Sequence, residues 1–102
     1  MPFIRVSVMT PQPGKEQAVG ELIDSLLALY KGHPGFITAY RLTAHPAGGR
    51  TRMGRLSMWN SEGDIRAMAS NDRDMALQSQ LKLITEEATH EEYAFEAVPL
   101  AD

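Results

Sequence analysis

Residues 3–30 read FIRVSVMTPQPGKEQAVGELIDSLLALY, and the change of period within them decides the fold. In the first seven, Ile4, Val6 and Val8 alternate with Phe3, Arg5, Ser7 and Met9, which is the two-residue period of a strand. Thr10-Pro11-Gln12-Pro13-Gly14 stops that strand, because its prolines remove backbone donors and Gly14 marks a turn. From Lys15 the apolar residues Ala18, Val19, Leu22, Ile23, Leu26, Leu27 and Tyr30 fall at three- and four-residue steps, the stripe of an amphipathic helix. Gly32 is expected to take a left-handed C-cap, and Pro34 blocks continuation.

Downstream the same alternation of elements repeats. Phe36 to Thr43 has strand character, 44–49 is a loop of turn formers, and Arg50 to Trp59 returns as the second arm of a hairpin. Ser61 with Asp64 three residues later resembles a capped helix start, continued by Ile65, Met68 and Ala69. Asn71 or Asp72 then caps a second piece in which Leu77, Leu81 and Ile84 share a face, so the helix is broken at Ser70-Asn71. A last strand runs from about Glu92 to Val98. The chain therefore reads as one α+β domain over 1–102 with the ferredoxin-like order β-α-β-β-α-β: a four-stranded antiparallel sheet with helices on one face.

Composition narrows the classes. The chain has 102 residues, 43% hydrophobic and 23% charged, the balance of a folded domain, but one short enough to gain from association. With no cysteine, disulfides, iron–sulfur clusters and thiolate zinc sites are excluded, and a cytoplasmic setting fits. No basic leader or membrane span is expected, since no apolar run approaches the ~20 residues a bilayer needs. A net charge of −3 argues against nucleic acid; Arg50, Arg52 and Arg55 read as a solvated hairpin edge rather than a binding patch.

Large apolar side chains occur on both faces of the predicted strands. Ile4, Val6 and Val8 oppose Phe3 and Met9; Phe36, Tyr40 and Leu42 are expected to oppose Ile37; Met53 and Trp59 oppose Leu56 and Met58. Helices can cover one face only, so the other is expected to meet a second copy of the chain.

Pro13-Gly14-Lys15-Glu16 opening the first helix, His33-Pro34-Gly35-Phe36 leading into the second strand, Tyr40-Arg41-Leu42 within it and Met58-Trp59 closing the third carry a family likeness. The chain resembles the antibiotic biosynthesis monooxygenase domains of the dimeric α/β-barrel superfamily over nearly its whole length. The resemblance implies two sheets packed face to face in a homodimer, with a pocket between sheet and helices in each subunit. It also implies a cofactor-independent monooxygenase acting on an aromatic or quinol-like small molecule. Haem-degrading relatives use an asparagine on the first strand, a tryptophan ending the third and a histidine on the later helix. Here Trp59 matches, Ser7 stands at the asparagine position, and residues 71–83 contain no histidine, so haem degradation is not expected. The alternative is a non-catalytic dimeric module that binds a small ligand or serves a stress response.

The resemblance makes Trp59, Tyr40 and Asn60 the candidate catalytic residues. Trp59 can stack on an aromatic substrate and donate its N–H, or it can simply be core. Arg5 and Ser7 share one face of the first strand, as Arg55 and Ser57 do on the third; with Met58 as a soft lining, they are the candidate substrate-binding set. An arginine there neutralises a phenolate, superoxide or carboxylate, or else forms an interchain ion pair. His33, His45 and His90 are the only candidate bases near neutral pH. No metal, haem or flavin is expected: paired histidines, an axial donor on the later helix and a glycine-rich phosphate loop are all missing from the chain.

Overall fold

The computed structural model describes residues 1–44 and 51–101; the expected loop over 44–49 falls mostly outside, as do His45 and Arg50. The strands are β1 (Phe3–Met9), β2 (Phe36–Thr43), β3 (Met53–Trp59) and β4 (Glu91–Glu96), and the helices α1 (Glu16–Tyr30), α2 (Glu62–Ala69) and α3 (Asp72–Ile84). The four strands pair antiparallel in the order β2-β3-β1-β4, the ferredoxin-like arrangement.

Each boundary has a local cause. Ser61 Oγ accepts from the Asp64 N–H at 3.2 Å, starting α2, and Asn71 Oδ1 accepts from the N–H groups of Arg73 and Asp74, starting α3 after the expected break. Gly32 is not a left-handed cap. The chain leaves α1 through Lys31 in a right-handed conformation, and the positive φ falls on Gly35 instead, at +82°. A Cβ at Gly35 would lie 2.1 Å from Asp64 Oδ2, so the turn into β2 tolerates only glycine while α2 keeps its place.

Register defines the two faces. Phe3, Arg5, Ser7 and Met9 lie opposite Trp59, Ser57, Arg55 and Met53, and this is the face the helices cover. Met9, Met53 and Trp59 close a core with Val19, Ile23, Leu26 and Tyr30 of α1, Met68 of α2, and Leu77 and Leu81 of α3. The other face carries Ile4, Val6, Val8, Leu56, Met58, Tyr93 and Phe95. The expected grouping of Phe36 with Tyr40 and Leu42 does not hold. A bulge between Phe36 and Thr38 shifts the parity, so Phe36 packs under the helices beside Trp59 while Tyr40 and Leu42 stand on the open face.

Candidate functional site

Strand alternation delivers Arg5, Ser7, Arg55, Ser57 and Trp59 to the covered face. There Ser7, Arg55 and Ser57 are 0%, 2% and 3% exposed, a polar centre in a layer that ought to be apolar. A guanidinium cannot shed its proton, so its burial demands partners. Arg55 has one: its Nε donates to Tyr30 Oη at 2.9 Å, while Nη1 and Nη2 are buried with none among the described residues.

Facing this layer, the first turn of α3 brings in Asp74, 1% exposed. Gln78 Nε2 donates to its Oδ2 at 3.0 Å and Oδ1 has no partner. Burial pushes the Asp74 carboxyl above its ordinary range, against the Gln78 hydrogen bond and the Arg55 charge. Burial also raises the Tyr30 phenol, against the nearby Arg55 guanidinium, so it stays protonated.

A second cluster borders the first. Glu92 Oε1 accepts from Arg5 Nη2 at 3.0 Å and from Ser7 Oγ at 3.3 Å, and His90 Nε2 lies 3.5 Å from the same oxygen. Burial would raise the Glu92 carboxyl, but Arg5, through its charge and hydrogen bond, together with His90 and Arg55, holds it below the usual range. Burial lowers His90, helped by the Arg55 and Lys82 charges and opposed by Glu92, so the imidazole is neutral at neutral pH.

Trp59, 1% exposed, packs edge-on against Tyr30 and Phe36 with centroids 5.5 and 5.3 Å away, and its indole N–H has no acceptor. A cleft of about 320 Å³ opens beside this layer, lined by Phe3, Arg5, Ile65, Arg66, Glu92 and Ala94 among others. Phe3 is the cross-strand neighbour of Trp59, and the Arg5–Glu92 pair lines the cleft while Glu92 also accepts from buried Ser7. Among the described residues, no three His, Asp or Glu side chains are grouped to hold a metal.

Of the residues expected at a site, Arg5, Ser7, Arg55 and Trp59 come together. Met58 and Tyr40 do not: Met58 follows Ser57 and precedes Trp59, so it must point the other way, and the bulge in β2 turns Tyr40, 58% exposed, to the same open face. Asn60 is exposed beyond the end of β3, its backbone N–H donating to Gly35 O at 2.8 Å. Sequence reasoning missed Asp74, although it precedes Leu77 by three residues and Leu81 by seven, which places a carboxylate on the buried stripe of α3. It placed Tyr30 on the apolar stripe of the first helix without its hydrogen bond to Arg55, and saw neither the Arg5–Glu92 pair nor the Ser7–Glu92 hydrogen bond.

No family model matches the chain, and no curated protein does. Solved structures do. A variant of SnoaB, a cofactor-independent oxygenase from Streptomyces nogalater, superposes with a TM-score of 0.81 at 14% identity, over 97% of this chain and 95% of that one. A Mycobacterium tuberculosis protein reaches 0.83 at 12% identity over 100% of both chains. An antibiotic biosynthesis monooxygenase reaches 0.79 at 10% identity, over 95% of this chain and 99% of that one. At such identities the likeness is one of fold, and the fold is that of the antibiotic biosynthesis monooxygenase domains.

Proposed function

We propose that this chain is a monooxygenase that oxidises an aromatic, quinol-like compound with molecular oxygen, without metal, haem or flavin, and that it works as a cytosolic homodimer. The observation that carries the reading is Arg55: a guanidinium 2% exposed, anchored through Nε, with both terminal nitrogens unpartnered beside an aromatic wall. Fixed positive charge in a desolvated layer favours the anion that such a reaction must form. The fold neighbour SnoaB, a cofactor-independent oxygenase, supports the same reading.

For a substrate with an activated CH₂ group, the balance is R₂CH₂ + O₂ → R₂C=O + H₂O. His90, neutral and beside Glu92, accepts the first proton, and Glu92 steadies the resulting imidazolium. The carbanion, stabilised as its phenolate by Arg55, gives one electron to oxygen, and the radical pair couples to form a C–O bond. The peroxide takes up the proton held by His90; the remaining C–H proton and the distal oxygen then leave as water, breaking the O–O bond and forming the carbonyl. The protein contributes orientation, exclusion of water and charge stabilisation.

The dimer reading rests on the open face, where Tyr40, Tyr93 and Phe95 are 58%, 46% and 53% exposed around Val6, Ile4 and Leu56. Oxygen-electrode measurements with an anthrone and naphthol panel test the chemistry. One oxygen is expected per ketone formed, with the rate unchanged by a chelator. Ligand-induced thermal stabilisation with no oxygen uptake across the panel would replace the oxygenase with a binding module.

A further inference from the structure

We infer that the buried layer is shaped for a planar anion, the carboxylate of an aromatic acid, gripped by the two terminal nitrogens of Arg55. This deepens the small-molecule site proposed above but does not depend on its oxygen chemistry. Count the charges first. Arg5 is paired with Glu92 at 3.0 Å, while Arg55 has only the hydroxyl of Tyr30. Asp74, the other buried carboxyl of this layer, makes no hydrogen bond or ion pair with Arg55 among the described residues and burial favours its neutral form, so a ligand that brings one negative charge balances the guanidinium.

Geometry gives the shape. Nη1 and Nη2 present parallel donors, the fork that matches a carboxylate's two oxygens, and both are unpartnered. Asp74 Oδ1 and the Trp59 indole N–H are also buried without partners, so the layer leaves four buried polar atoms waiting on a ligand. The cleft of about 320 Å³ against Phe3 and Ile65, with Arg5 in its wall, is the approach for the acid. Arg5 on the cleft wall lies opposite Ser57, and Arg55 is one same-face step, roughly 7 Å, further along β3. The carboxylate is bonded directly to its ring, so an acid that reaches Arg55 from this cleft carries the ring inward past the Arg5–Glu92 pair. Asp74 faces Arg55 on β3, Arg5 on β1, Glu92 on β4 and Tyr30 on α1. In its protonated form it donates to the bound carboxylate; ionised, it repels it.

The test titrates 1-hydroxy-2-naphthoate and its primary amide into the protein without oxygen, read by the fluorescence of Trp59, the one tryptophan. The acid is expected to bind at least roughly ten-fold tighter than the amide, and R55K to weaken the acid by a similar factor while leaving the amide unchanged. Asp74→Asn is expected to hold acid affinity constant as pH rises, where the parent protein loses it. Equal affinity for acid and amide would overturn the inference, and that comparison needs no variant to fold. Acid binding indifferent to R55K would overturn it too. Binding of the acid with no oxygen uptake by any substrate removes the oxygenase and leaves the anion site; turnover of neutral naphthols with no preference for the acid does the reverse.

Discussion

Each face of the sheet departs from what a lone domain needs: the covered one has a polar centre within its apolar core, and the open one is apolar. On β1, the residues beneath the helices include Arg5 and Ser7, while Ile4, Val6 and Val8 occupy the face that no helix among the described residues covers. In an ordinary two-layer domain the covered face is apolar and the open one polar. An uncovered apolar face signals a partner. A polar group under the helices costs about 1–3 kcal/mol when unpaired, so the unpartnered atoms of Arg55 and Asp74 do not stabilise the fold, and the proposed ligand is what would satisfy them.

The largest effect is expected where the open face is charged. Val6 stands between Leu56 and Tyr93, so Val6→Asp would bury an unpaired carboxylate at the centre of the proposed contact. Light scattering should fall from twice 11.3 kDa to the single-chain mass. A parent protein already at the single-chain mass at micromolar concentration would break the comparison from that side.

On the covered face, Arg55→Met should separate activity from stability. Oxygen uptake is expected to fall roughly 10²–10³-fold, as when a positioned charge-stabilising donor is lost. Unfolding free energy should stay level or rise by up to about 4 kcal/mol, since a buried charge gives way to an apolar side chain of similar length. Loss of activity only in step with unfolding would make Arg55 structural. Trp59→Phe comes next: the packing against Tyr30 and Phe36 is thinned, at roughly 1–3 kcal/mol in urea denaturation. Turnover per folded molecule should fall as well; if it does not, Trp59 belongs to the core alone.

What could be read in advance follows from what is local. Period two in residues 3–9 and period 3.6 in α1 are properties of the segment itself, as are the caps at Ser61 and Asn71, and these placed β1, α1, α2 and α3. The bulge at Ile37 is not local. It answers the pairing of β2 with β3, and with it went the side on which Tyr40 stands. The candidate site divides the same way. Arg5, Ser7, Arg55 and Trp59 share a face by strand parity, which counting finds; Asp74 joins them only because α3 folds over that face, and Glu92 because β4 pairs with β1 eighty-odd residues away.

The smallest effect is the sharpest test of how the covered face carries its charge. The folded Asp74 carboxyl titrates above its ordinary 3.8, so the native state favours the protonated form. Its contribution is fully present below the unfolded value and is lost as pH rises through the folded one. Asp74→Asn keeps an oxygen for the Gln78 donor but cannot ionise, so at neutral pH it should be more stable than the parent by roughly 1–2 kcal/mol, the difference vanishing in acid. His90 runs oppositely. Its folded value lies below 6.5, so its contribution is present above that pH and is lost as pH falls through the folded value. In the parent the two slopes oppose each other across the mildly acidic range; in the asparagine variant only the His90 slope remains, and urea midpoints should rise monotonically with pH there. An asparagine variant less stable than the parent at neutral pH would mean that Asp74 is ionised and serves as the counter-charge of Arg55. The covered face would then be balanced without a ligand.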